Sequence, residues 1–207
     1  MVKEYSKEVR DKNIAVGFLL IGLYLIRHII LNINIWIAIV MEILAGLFVL
    51  IYLNSRDDIN IKNLFKWENL KYILFIFLIN RIIGIVFSYI GIKIYGGVSA
   101  NDQALIKYAY SLSGIELVEF YIYKNFWAPI REEYVYKYMI IGNIGKMRYI
   151  SLIISSIIFS FGHRANNILY FTMYFFMALI PAIIYKKTGR VDICIAEHML
   201  NNMVVVY

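Results

Sequence analysis

Residues 14–53 read IAVGFLLIGLYLIRHIILNINIWIAIVMEILAGLFVLIYL. The stretch holds two apolar runs, Ile14–Leu31 and Ile35–Leu53. Each is near the ~20 residues that a helix needs to cross a bilayer. Neither run alternates as the strands of a membrane barrel do, so both read as helices. Five further apolar segments follow: Leu70–Ile92, Ser113–Ile141, Tyr149–Gly162, Ile168–Tyr185 and Val191–Val206. The whole chain is 61% hydrophobic and 17% charged, where soluble domains run at roughly 45–50% and about 25%. The excess lies in long blocks, the pattern of a membrane protein rather than of a rich soluble core. The expected fold class is all-α: a polytopic transmembrane helical bundle with about seven membrane segments.

The first, second, third and sixth segments are the strongest spans; the fifth and seventh are short. The fourth carries Glu116, Glu119, Lys124, Pro129, Arg131, Glu132, Glu133 and Lys137. It reads either as one kinked helix or as an interfacial helix ending near Pro129, followed by a shorter span. Residues Ser55–Asn69 form the only sizeable cytoplasmic loop, with an interfacial turn or short helix around Phe65 and Trp67. Gly96–Gln103 reads as an outer loop. Met1–Asn13 is rich in charge, including Lys3 and Glu4, but no small-residue cleavage site follows the first apolar run, which therefore reads as retained. The single Cys194 excludes an internal disulfide and reads as a packing residue.

Loop charge sets the expected orientation. With the N-terminus inside and seven alternating segments, the cytoplasmic side holds Lys3, Lys7, Arg10, Lys12, Arg56, Lys62, Lys66, Lys71, Lys146, Arg148, Lys186, Lys187 and Arg190. The outer side holds Arg27, Lys93, Lys107 and Arg164. The positive-inside rule then gives a cytoplasmic N-terminus and an outer C-terminus. The same distribution accounts for the net charge of +7. The basic residues lie between apolar segments rather than on one stripe, so no nucleic-acid partner is expected; the lipid bilayer is.

Ionisable residues inside a membrane cost about 2.5–3.5 kcal/mol each on insertion scales and point to function. Three clusters in the C-terminal half stand out. Glu133 and Lys137 are four apart on one helix face, which pairs them and leaves Glu132, about 100° away, as the carboxylate free to act as a base. Phe159 and His163 are four apart, as are His198 and Asn202, with Glu197 and Asn201 beside them. Counted along their helices at 1.5 Å per residue, Glu132, His163, His198 and Asn202 lie roughly 12–21 Å from the cytoplasmic helix ends. All reach the middle of a core about 30 Å thick. Taken singly, each cluster is also compatible with a solvated helix end, an interfacial histidine or a polar helix–helix contact.

In this order and spacing, the clusters resemble the signature of the CPBP family (CAAX proteases and bacteriocin-processing enzymes, also called Abi): EExxxR, FxxxH and HxxxN. Here they read Glu132-Glu133-xxx-Lys137, Phe159-xxx-His163 and His198-xxx-Asn202. The flanks agree, with Ala-Pro before the glutamates and Tyr-Lys-Lys-Thr-Gly-Arg between the last two helices. The resemblance implies N-terminal helices and loops over residues 1–111 and a CPBP/Abi-like catalytic core over residues 112–207. It implies an intramembrane endopeptidase in which Glu132 and His163 activate a water and His198 and Asn202 stabilise the oxyanion, with Glu133 also in the site and Lys137 and Phe159 supporting it. Lys137 departs from the family's arginine, which would pair bidentately and keep its charge.

Family members are often called metalloproteases. Two carboxylates and two histidines are a donor set that a divalent metal such as zinc could take, but no HExxH motif is present and helix spacing does not decide. The implied substrate is a membrane-embedded or membrane-tethered peptide or protein. The resemblance implies prenylated proteins, bacteriocin precursors or signalling-peptide precursors as substrates. The composition, rich in Ile, Asn, Lys and Tyr, points to an AT-rich bacterial genome, and so to peptide maturation or bacteriocin immunity at the cell membrane rather than prenyl-protein cleavage. The alternatives are a non-catalytic membrane regulator or binding partner of the same family, and a transporter whose ion path Arg81, Glu132 and His163 would line. No inverted repeat supports the last.

Overall fold

The computed structural model describes residues 6–142 and 149–204. Lys3, Glu4, Lys146, Arg148 and the end of the last apolar segment at Val206 lie outside the described residues. Every regular element among the described residues is helical. Helix α1 spans Lys7–Ile33, with Ser6 capping it by accepting from the Val9 amide. Helix α2 spans Ile35–Asn54. Asn34 alone joins the two. Its backbone N–H donates to Ile30 O and ends α1, while its side-chain oxygen accepts from the Trp36 and Ile37 amides and starts α2. A short helix α3, Ile61–Leu64, precedes α4, Trp67–Tyr95, which closes on Gly96 in the left-handed conformation. Then come α5 (Ala100–Ser111), α6 (Gly114–Ile122) and α7 (Ala128–Glu133), followed by α8 (Tyr149–Gly162), α9 (Ile168–Thr188) and α10 (Val191–Val204).

Helices α1, α2, α4 and α9 are long and apolar enough to cross a membrane. They are the four segments singled out as the strongest spans. Their outer faces carry large exposed apolar side chains such as Leu25, Ile29, Leu44, Ile51 and Ile85, while Arg27, Glu42, Asn80, Glu133 and Lys137 are buried. That inside-out distribution fits a protein solvated by lipid. The Cys194 thiol is buried and donates to Pro181 O at 3.4 Å, in keeping with a packing role.

The fourth apolar segment is one continuous helix from Gly114 to Ile141. It contains two π-helical stretches, Tyr123–Trp127 and Tyr134–Ile141, which bracket α7. In the first, the Ala128 N–H reaches back to Tyr123 O, and Pro129 has no N–H to continue the ladder. The expected outer loop Gly96–Gln103 is shorter than the composition indicated. Ser99 accepts from the Asp102 amide and starts α5, so only Gly96–Ser99 is a loop.

Arg27, counted among the outer-side charges, is buried. Its guanidinium pairs with Glu42 of α2 and Glu119 of α6. Arg27 and Glu42 lie at similar distances on either side of Asn34, so this pairing fixes the register of an antiparallel α1–α2 hairpin. Arg27→Met would leave two buried carboxylates with no cation between them. We expect it to destabilise the protein by about 3–5 kcal/mol. An unchanged melting temperature in detergent would sink that reading.

The connections gather at two ends. At one, Tyr52 donates to Asn13 Oδ1 at 2.7 Å, Tyr138 donates to Asp58 Oδ2 at 2.6 Å, and Asp192 accepts from the Asn60 amide at 3.0 Å. These contacts bring together the 55–60 loop, the end of the kinked helix and the α9–α10 turn. At the other, Tyr170 of α9 donates to Gly97 O and Tyr174 pairs with Ser99. There α4 and α9 come so close that a Cβ on Gly91 would lie 1.9 Å from the Tyr170 hydroxyl oxygen, which only glycine allows.

Candidate active site

Helices α4, α7, α8, α9 and α10 converge on a cavity of about 500 Å³, within the ~300–1,000 Å³ usual for ligand pockets. Its lining includes Glu132, Glu133, Lys137, His163, His198 and Asn202. The structure therefore brings together the side chains that the three sequence clusters named.

The Glu133 carboxylate receives the Lys137 ammonium, with Nζ 3.0 Å from Oε1 and 2.9 Å from Oε2. Its Oε1 also lies 3.0 Å from His198 Nδ1. A carboxylate there is an acceptor, so His198 Nδ1 carries the proton. His163 Nδ1 lies 2.9 Å from Phe159 O, again an acceptor, and the ring stacks on Phe159 with centroids 4.0 Å apart. In neutral imidazoles, both Nε2 atoms are then left as acceptors. Both face the same oxygen: Glu132 Oε2 lies 3.9 Å from His163 Nε2 and 4.0 Å from His198 Nε2.

Those separations are too long for direct hydrogen bonds and suit one bridging water. They are wide for zinc, since ligand bonds of ~2.0–2.1 Å in a tetrahedral site put donor atoms about 3.3–3.4 Å apart. The donor set named from the sequence does not fit a zinc site as it stands here. Among the described residues, no group of three or more His, Cys, Asp or Glu side chains is arranged to hold a metal ion.

Asn202 owes its position to the π-helical register. Pro129 has no N–H to offer the Lys124 carbonyl, and the Asn202 amide donates to that oxygen at 2.8 Å. Asn202 also lines the cavity. A parallel device anchors α4. Pro181 leaves Met177 O without its intrahelical donor, and Asn80 Nδ2 reaches it at 3.4 Å while also donating to Glu197 Oε1 at 3.1 Å.

The expectation that Glu132 has no cation on its own helix is corrected. Arg131 Nη2 lies 2.7 Å from Glu132 Oε1. Adjacent residues do not share a helix face, but a long guanidinium at the edge of a π-helical stretch can curl onto its neighbour. Arg131 is held over the Tyr24 ring of α1, with Cζ 4.0 Å from the centroid, and lies 6.0 Å from the Tyr123 ring. The Arg27 guanidinium sits 3.8 Å above the same Tyr123 ring. The buried hairpin charges thus connect to the site through one tyrosine. Glu133 holds Lys137 as its spacing predicts and also orients His198. Sequence reasoning does not find Arg131 or Asn80 as site components, and it names Arg81 of α4 only for the ion-path alternative. The i, i+4 spacing rule gives no sign of them, since each acts across helices or on its immediate neighbour.

Residues 115–204 match the family described as Type II CAAX prenyl endopeptidase Rce1-like. Over 155 residues, 70% of this chain, the sequence is 31% identical to the membrane-embedded CAAX protease MroQ of Staphylococcus aureus (strain USA300). The chain spans 58% of that relative's length. No solved structure matches the chain.

Proposed function

As residues 115–204 belong to the CPBP family, we propose that this chain is an intramembrane endopeptidase that cleaves a membrane-embedded or membrane-tethered peptide. The carrying observation is the Glu132 oxygen that faces two imidazole Nε2 atoms at 3.9 and 4.0 Å inside a cavity. A water held by Glu132 and His163 gives one proton to Glu132 while its oxygen attacks the peptide carbonyl. The carbonyl oxygen becomes an oxyanion, to which Asn202 donates from its free amide hydrogen. His198 donates too when it is an imidazolium, with Nδ1 bound to Glu133 and Nε2 pointing into the cavity. Glu132 then passes the proton to the leaving amine as the C–N bond breaks, so that one water is consumed per bond cut. Lys137 performs the task of the family's arginine by holding Glu133.

The test is cleavage of lipid-tethered bacterial peptide precursors by the purified protein in liposomes, wild type against His163→Ala. We expect the variant to melt as the wild type does and to lose about 10²-fold or more in turnover. Equal turnover would remove His163 from the reaction. Peptide that is bound but never cut by the wild type would leave a non-catalytic binding partner instead. Peptide maturation and bacteriocin immunity are the substrate settings we favour, in a bacterial cell membrane.

The charge asymmetry supports a cytoplasmic N-terminus. The buried state of Arg27 removes one outer charge from the comparison and leaves its sign unchanged. Reporter fusions at Asp57, Asn101 and Lys187 should read in, out and in. A fusion at Tyr207, which lies outside the described residues, should read out, and a cytoplasmic signal there would defeat the seven-segment arrangement.

A further inference from the structure

Arg81 lies midway along α4, about 21 Å of helix rise from Trp67, in the sequence Phe-Leu-Ile-Asn-Arg-Ile-Ile-Gly-Ile. It lines the cavity. Among the described residues its hydrogen bond is to a neutral group, Asn201 Oδ1, at 3.4 Å. The other charges of the cavity wall are engaged elsewhere. Glu132 holds Arg131, Glu133 holds Lys137, Glu197 accepts from Asn80, and Asp102 accepts from Tyr174. None of these carboxylates is within ion-pair distance of Arg81. A permanently charged, planar fork therefore faces a cavity at membrane depth without a counter-charge. The α10 segment that it touches also carries His198 and Asn202.

We propose that Arg81 forms a carboxylate-binding subsite, which receives an acidic group of the substrate within a few residues of the bond that is cut. The subsite rests on the protease reading for its role but not for its chemistry. Guanidinium–carboxylate pairs are charge-assisted and bidentate, and the low dielectric at membrane depth strengthens them. The carboxylate is either the peptide's C-terminus or a side chain.

The test uses the full chain carrying Glu132→Gln, so that binding is read without cleavage. Three probes are compared in nanodiscs: N-dodecanoyl tri-leucine as the free acid, the same peptide as the C-terminal amide, and an amide whose middle residue is glutamate. We expect at least one acid to bind about tenfold or more tighter than the neutral amide. Whichever acid it is identifies the source of the carboxylate. Adding Arg81→Gln should reduce that preference to less than about twofold. If this variant fails to fold, Arg81→Lys should retain an intermediate preference, because the charge stays and the fork is lost. Equal or absent binding of the three probes overturns the subsite, as does a preference that survives Arg81→Gln or is undiminished in Arg81→Lys. Cleavage by the wild type without acid preference also removes the subsite but leaves the protease. Acid preference without cleavage of any peptide, including the precursors above, removes the protease and leaves the subsite.

Discussion

Glu132→Gln should abolish cleavage and leave the protein folded. The amide keeps the volume of the side chain and can still accept from Arg131 through its oxygen. It cannot take a proton from water. A missing general base costs about 10²–10⁴ in rate, and here the same group returns the proton to the leaving amine, so we expect the upper part of that range or beyond. Folding should survive because the Glu133–Lys137 pair and the Arg131–Tyr24 stack do not depend on the Glu132 charge. The check is turnover in liposomes beside melting temperature in detergent. Wild-type turnover in Glu132→Gln would end the proposed mechanism. A collapse in melting temperature would mean that Glu132 serves chiefly as the counter-charge of Arg131, whose Nη1 has no hydrogen bond in the structure.

Glu133→Gln should fail in the opposite way, by losing stability together with activity. Glu133 is buried and the Lys137 ammonium sits between its two oxygens. Removing the anion strands a buried cation, which costs about 3–5 kcal/mol. It also removes the charged acceptor that orients His198, so any folded fraction should turn over slowly. Lys137→Arg, in contrast, keeps the pair and restores the family's residue, and should stay folded and active. The three variants can be compared in one set of melting and turnover measurements. A Glu133→Gln protein that melts normally would show that Lys137 finds another partner in the site.

Much of the site is legible in the chain because it is built from i, i+4 pairs. Glu133 with Lys137, Phe159 with His163, and His198 with Asn202 each lie on one face of one helix, and 3.6 residues per turn places them there whatever the surroundings. The spacing was less informative for Glu132. Its partner Arg131 is the adjacent residue, a spacing that does not share a helix face. The start of α5 resembles a loop in the sequence because Gly96 and Gly97 dominate the local composition, although Ser99 and Asp102 mark the helix.

The amino-acid sequence by itself determined that the chain is a bundle of membrane helices, where the four principal spans run, and which side chains share a helix face. Apolar run length and helical period are local properties, set by bilayer thickness and backbone geometry. Only the tertiary structure decided how the helices use one another. It placed Arg27 between Glu42 and Glu119, turned Arg81 and Asn80 of the N-terminal half into the wall of the site, and delivered Asn202 to the Lys124 carbonyl, to which Pro129 has no N–H to give. In lipid, polar groups must find partners inside the protein. Which partner each group finds depends on helix packing and on a one-residue change of register, and neither is a periodic feature that a single chain displays.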